Sequence, residues 1–149
     1  MTKPTQVKEV SLEKVPWQQL QPLLDACYPM PPRDVFPRVI GGSHWRQRVW
    51  LAFNGLDLKG IVMLSPHSKG GHLENLAVHP CARGEGIARL LVQALIEQTS
   101  LTRPSIISLT TRIPDFFRPL GFQPFGQLSD GSTPMFMIIE ELKVDTPNL

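Results

Sequence analysis

Apolar positions along this chain fall into short strand-like runs and stretches with a period near 3.6. Thr5–Val10 alternates, which predicts a first strand. Over residues 16–26, Trp17, Leu20, Leu23 and Leu24 recur at helical spacing, with Pro16 suited to the first turn. Residues 48–53 and 58–64 read as strands joined around Asn54-Gly55, a strong hairpin signal. Another strand follows over residues 72–78. The clearest helix spans residues 84–98, where Ile87, Leu90, Leu91, Ala94 and Leu95 form one apolar stripe. Residues 105–110 form a short apolar strand. Residues 114–120 make a short helix that Pro119 must distort and Gly121 can close. Strands over 122–127 and 134–141, with a turn at Ser129-Asp130-Gly131-Ser132, complete the pattern.

This order predicts an α/β protein with a mostly antiparallel sheet and one parallel crossover through the helix over 84–98. The length, 149 residues, suits one domain with a real core. A net charge of +2 gives no reason to expect nucleic acid, and no apolar run reaches membrane-spanning length. Two cysteines, Cys27 and Cys81, are too few for a disulfide framework, so a cytoplasmic setting is expected. Several of the fifteen prolines fall in residues 27–38, a stiff loop or broken second helix.

The chemistry concentrates where the strand over 72–78 runs into Arg83-Gly84-Glu85-Gly86-Ile87-Ala88-Arg89. Glycines there let a diphosphate approach free backbone N–H groups, and the helix dipole adds attraction for negative charge. Arg83 can add a charge-assisted contact. The segment therefore reads as a site for an elongated phosphorylated ligand. A P-loop would need Gly-Lys-Ser/Thr at the helix start, which is missing. A dinucleotide fingerprint would need glycine at position 89, where Arg89 stands.

The remaining pattern, Arg83-x-x-Gly86-x-Ala88, resembles the acyl-CoA turn of the GNAT acyltransferase superfamily. Phe116-Phe117-Arg118-Pro119-Leu120-Gly121-Phe122 resembles that superfamily's second signature at the expected distance downstream. The resemblance implies a GNAT fold: a twisted, mostly antiparallel sheet of about seven strands with one splayed pair, about four helices, and a single domain over 1–149. It implies acetyl-CoA as cosubstrate and no metal. The diphosphate would lie on the amides of Arg83, Gly84, Glu85, Gly86, Ile87 and Ala88, with Arg89 as a second cation or a merely solvated one. The pantetheine arm would pair with Leu76, Ala77 and Val78 as an added strand, in the gap between splaying strands.

Amine acetylation needs a base and donors for the developing oxyanion. Glu74 is the candidate base, on a strand whose Leu76 and Val78 are expected to share its face. The weighed alternative is a carboxylate that only pairs with an arginine on the same sheet. The Val78 amide is the candidate oxyanion donor. Many family members carry a tyrosine where Phe117 stands, so Phe117 would only pack against the pantetheine, and Tyr28 or Cys27 is the alternative proton source. His79-Pro80-Cys81 lacks a second ligand pair, so His79 reads as a turn cap rather than a metal ligand. His44, His67 and His72 have no evident partners. Arg33, Arg38, Arg46 and Arg48 are either a clamp for an acceptor carboxylate or a solvated basic face.

Leu109-Thr110-Thr111-Arg112, Phe116-Phe117-Arg118 and Gly121-Phe122-Gln123-Pro124 are similar to the acetyltransferase domain of bacterial N-acetylglutamate synthases. That similarity implies a small amine acceptor, an amino acid such as glutamate among them. The pocket for it is expected from residues 27–38 and 127–132. Two other readings stay open: a non-catalytic acyl-CoA-binding regulator with a protein partner, and a peptide N-terminal acetyltransferase. The oligomeric state is open, a homodimer among the options.

Overall fold

The computed structural model describes residues 4–27, 47–99 and 105–139. Seven strands form one sheet: β1 (Thr5–Val10), β2 (Arg48–Asn54), β3 (Asp57–His67), β4 (Gly70–Val78), β5 (Ser105–Thr111), β6 (Gln123–Pro124) and β7 (Thr133–Ile139). Their order across the sheet is β1-β2-β3-β4-β5-β7-β6. Every neighbouring pair is antiparallel except β4 and β5, the expected single crossover. The α-helices among the described residues are α1 (Trp17–Cys27), α2 (Ile87–Thr99) and α3 (Pro114–Phe117), fewer than the expected four.

Strand alternation sends side chains into two cores, one on each face of the sheet. On one face Leu20, Leu23 and Leu24 of α1 cover Val49, Leu51, Ile61 and Met63. On the other, Ile87, Leu91, Val92 and Leu95 of α2 cover Trp50, Ala52, Val62 and Leu64, with Phe117 and Phe122 completing the layer. Each such side chain contributes about 1.5–3 kcal/mol through burial. The stripe on α2 is narrower than its sequence pattern, because Leu90 lies exposed. Pro119 does break its helix: α3 stops at Phe117 and a 3-10 turn over Arg118–Leu120 follows, closed by Gly121 in the left-handed conformation.

The close seat of α2 depends on Gly60 in β3. A Cβ there would stand 2.9 Å from Leu91 Cδ1, 3.1 Å from Ile87 Cγ2 and 3.2 Å from the Ala77 carbonyl. Gly60→Ala is expected to cost about 1–3 kcal/mol through overpacking, lowering the urea midpoint at constant slope. An unchanged midpoint would show that α2 can lift off β3 freely.

Candidate active site

β4 and β5 pair only at their first residues, Gly70 with Ile106, Gly71 with Ile107 and His72 with Ser108. The His72 Nδ1–Ser108 Oγ hydrogen bond, 2.9 Å, spans the last of these pairs. Beyond it the strands part, as the splayed pair was expected to. From Leu73 onward β4 therefore presents an edge that β5 does not pair.

A bulge reshapes that edge. Met63 opposes Glu74 while Ile61 opposes Ala77, so β4 carries one residue more than β3 over this stretch. Asn75 absorbs the extra length with φ at 53°, and its Nδ2 donates to Met63 Sδ at 3.5 Å. Asparagine tolerates this left-handed conformation better than most residues. The bulge resets the alternation. Leu73, Leu76 and Val78 all pack on the α2 face, whereas Ala77 packs on the α1 face. Glu74, next to Leu73, thus points to the α1 face, opposite Leu76 and Val78. The expectation that the three share one face is corrected by this single inserted residue.

The backbone at the end of β4 opens toward the gap. The His79 N–H donates to the Lys59 carbonyl at 2.8 Å. Antiparallel alternation then turns the N–H and C=O of Val78 away from β3. The Val78 carbonyl accepts from Cys27 Sγ at 3.3 Å and Arg83 Nε at 3.2 Å. Arg83 is thereby folded back along β4, with its Nη2 at 3.8 Å from Cys27 Sγ.

After β4, a 3-10 turn over Pro80–Ala82 is capped by His79, whose Nδ1 accepts from the Cys81 N–H at 3.1 Å. This is the capping role expected for His79. Gly84 and Gly86 follow with φ at 84° and 79°, and a Cβ on either would meet nothing within 4 Å. Residues 84–86 are turn rather than helix, which corrects the expected helix start to Ile87. The reason is the pair of positive φ angles. The first helical bond runs from the Leu90 N–H to the Gly86 carbonyl at 3.1 Å. The N–H groups of Ile87, Ala88 and Arg89 precede it and have no intrahelical acceptor.

Three adjoining cavities make one groove from this turn into the gap. The first, about 290 Å³, is lined by Val78, Arg83, Gly84, Gly86, Arg89 and Phe116 among others. The second, about 270 Å³, shares Val78, Arg83, Ala88 and Phe116 with it and adds Cys27, Leu76, Ala77 and Ile113. The third, about 860 Å³, shares Cys27, Leu76 and Ile113 with the second and reaches His72, Glu74, Thr110, Arg112 and Phe117.

Glu74 is half-buried at the wide end of that groove, where its Oε2 accepts from the Ser65 hydroxyl at 2.9 Å. Among the described residues it forms no ion pair. Arg48 lies on the opposite, α2 face beside Trp50 and is bound through Nε and Nη2 to Glu9 at 2.8 Å each. The hydrogen bonds to Glu9 raise the Arg48 guanidinium's pKa further above its ordinary value. Arg48 is therefore not available as an acceptor clamp. Arg33, Arg38, Arg46, His44, Tyr28 and most of the 27–38 segment lie outside the described residues.

Residues 45–124 match the family model for the acetyltransferase (GNAT) domain, more than half of the chain. The chain belongs to the GNAT acetyltransferase family. A comparison with curated proteins returns no match. Among solved structures, this GNAT chain is similar to the ribosomal-protein-S18-alanine N-acetyltransferase of Escherichia coli. The TM-score is 0.75 at 16% identity, over 97% of this chain and 99% of that one. A GNAT-family acetyltransferase of Staphylococcus aureus Mu50 gives 0.72 at 15% identity, over 91% and 100%. An aminoglycoside 6'-N-acetyltransferase complexed with coenzyme A gives 0.68 at 18% identity, over 90% and 97%. At these identities the likeness shows the fold alone.

Within the GNAT frame, the residues read from sequence divide by position. Leu76, Ala77, Val78, Arg83, Gly84, Gly86, Ile87, Ala88 and Arg89 all line the narrow end of the groove. Glu85 is exposed and lines none of the three cavities. Phe117 is buried edge-on between Phe116 (ring centroids 4.9 Å) and Phe122 (5.7 Å) and lines only the wide cavity. Phe116 is the aromatic wall of the narrow end, a residue the sequence pattern passed over. Ile113 was missed as a wall residue too, whereas Cys27, the first residue of the segment expected to form the acceptor pocket, lines both the wide cavity and the one beside it. Periodicity does not distinguish Phe116 from Phe117, since a four-residue helix is too short to define a face.

Arg112, exposed at the end of β5, lines the wide cavity, and its Nη1 donates to the Asp130 carbonyl at 3.1 Å. Its Nη2 stands 3.7 Å from Asp130 Oδ2. Hydrogen bonds from Ser132 hold the Asp130 carboxyl below its ordinary pKa. The turn before β7 is thereby tied to the end of β5, beside the cavity.

Proposed function

We propose that this GNAT chain transfers the acetyl group of acetyl-CoA to the primary amine of a small molecule, an amino acid such as glutamate, by direct attack in a ternary complex. The observation that carries the reading is the groove of three cavities with shared lining residues that leads from the N–H groups of Ile87, Ala88 and Arg89, which have no intrahelical acceptor, to Glu74. An anionic diphosphate suits the first end, because free N–H donors and the positive end of the α2 dipole coincide there. The amides of pantetheine suit the unpaired edge at Leu76, Ala77 and Val78.

At the wide end Glu74 takes a proton from the attacking amine, directly or through one water. The new C–N bond converts the thioester carbonyl to an oxyanion, which the outward N–H of Val78 stabilises. The C–S bond then breaks and CoA leaves as thiolate. A thiol with a pKa of about 8.5 leaves without a general acid, so Phe117 in place of tyrosine does not block the reaction. Thr110 and Arg112 line the same cavity as Glu74 and support an acceptor with a polar end, although Arg112 already shares its guanidinium with Asp130.

We assign residues 1–149 to one catalytic domain and no metal to the site. The free thiols of Cys27 and Cys81 support a reducing, cytoplasmic setting. Among the described residues no helix is long and apolar enough to cross a membrane.

Free-thiol release from acetyl-CoA across amino acids, polyamines, aminoglycosides and short peptides tests the proposal. Amino acids with acidic side chains are expected to release thiol fastest. A peptide-only response would move the assignment to N-terminal acetylation. The rival regulator, favoured by Phe117, would bind acetyl-CoA and release no thiol with any acceptor.

A further inference from the structure

A polar chain crosses three strands on the α1 face and ends on Glu74. Gln47, just before β2, is nearly buried, and its Nε2 stands 3.1 Å from Ser65 Oγ on β3. Ser65 Oγ in turn stands 2.9 Å from Glu74 Oε2 on β4. A serine hydroxyl has one hydrogen to give. Were it given to Gln47, Ser65 and an ionised Glu74 would face each other at 2.9 Å with no hydrogen between them. The amide of Gln47 therefore presents its NH₂ to Ser65, and the serine hydrogen goes to Glu74.

We infer that Ser65, oriented by Gln47, is a positioning residue for Glu74: it occupies Oε2 and leaves Oε1 as the atom that accepts the proton. The inference rests on Glu74 being the base. The bulge makes the device necessary. With Asn75 in the left-handed conformation, Glu74 flanks the bulge, where the pairing of β4 with β3 shifts before it resumes at Ala77. A half-buried carboxylate on a flexible side chain would otherwise sample several rotamers, and misplacement of a base by about 1 Å costs up to 10²-fold in rate. Ser65 lies opposite His72, the last residue of β4 paired to β5, so its own backbone belongs to the rigid part of the sheet.

The test measures steady-state thiol release with the fastest acceptor of the panel, acetyl-CoA binding by calorimetry, and thermal unfolding. Ser65→Ala is expected to lower kcat about 10- to 100-fold, the loss expected for one hydrogen bond to a charged group, with acetyl-CoA affinity unchanged. Ser65→Thr, which keeps the hydroxyl, restores the rate. Gln47→Glu replaces the donor by an acceptor of the same shape, draws the serine hydrogen away from Glu74 and lowers kcat similarly. The discriminating readout is the double variant: Ser65→Ala added to Glu74→Gln lowers the rate no further, because the two act as one unit. A further tenfold loss in that background would show Ser65 acting through general stability and overturn the inference. So would an unchanged rate in Ser65→Ala while Glu74→Gln is impaired. If Glu74→Gln itself keeps full turnover, the base assignment fails, which is a separate result.

Discussion

Glu74→Gln lowers kcat roughly 10²–10⁴-fold, the usual contribution of a positioned general base, while the Kd for acetyl-CoA stays at its wild-type value. The substitution keeps the shape of the side chain, and the glutamine carbonyl can still accept from Ser65. Stability is therefore expected to change little. Affinity should be spared because Glu74 lines only the wide cavity, away from the narrow end where the diphosphate and pantetheine are assigned. The attacking amine loses its proton as the C–N bond forms, and an amide side chain is not basic enough to take it. Stopped thiol release and calorimetry on the same preparation separate the two quantities. Full turnover in the variant would remove Glu74 from the mechanism and return it to the role of a sheet carboxylate.

The fold was legible because its strongest signals are local. Alternation marked β1, two apolar runs flanking the Asn54-Gly55 pair marked β2, β3 and their hairpin, and the spacing of Ile87, Leu91 and Leu95 marked α2. The glycine turn was legible for the same reason: Gly84 and Gly86 announce positive φ directly. What decides the direction of Glu74 is not local. Nothing in Leu73-Glu74-Asn75-Leu76 interrupts a strand pattern, and the bulge exists only because β3 and β4 pair with unequal lengths. One inserted residue sends every later side chain to the other face, so counting by twos from Glu74 to Val78 gave the wrong side. The partners of Glu74 and Arg48 were illegible for a related reason. Ser65 and Glu9 reach them across neighbouring strands, and register across a sheet is a product of packing rather than of spacing.

Gly86→Val is expected to weaken acetyl-CoA binding by roughly 100-fold or more. Gly86 holds φ at 79°, a conformation that costs an L-residue about 1–2 kcal/mol and a β-branched one more. The chain escapes that strain by rotating the turn, which swings the N–H groups of Ile87 and Ala88 away from their common target. Two charge-assisted hydrogen bonds of about 1.5–3 kcal/mol each are then lost to the diphosphate. Because a Cβ at this position meets no protein atom within 4 Å, the folding cost stays limited to the backbone. At about 2–4 °C per kcal/mol for a chain of this size, the melting temperature should drop by only several degrees. Gly126→Val is the matched control: Gly126 also has positive φ, 104°, with open space around it, and it lines none of the three groove cavities. It should lose comparable stability and bind acetyl-CoA as the wild type does. Equal affinity loss in both variants would assign the effect to general softening. Retention of binding by Gly86→Val would mean that the diphosphate docks elsewhere, and the assignment of the narrow end of the groove would fall with it.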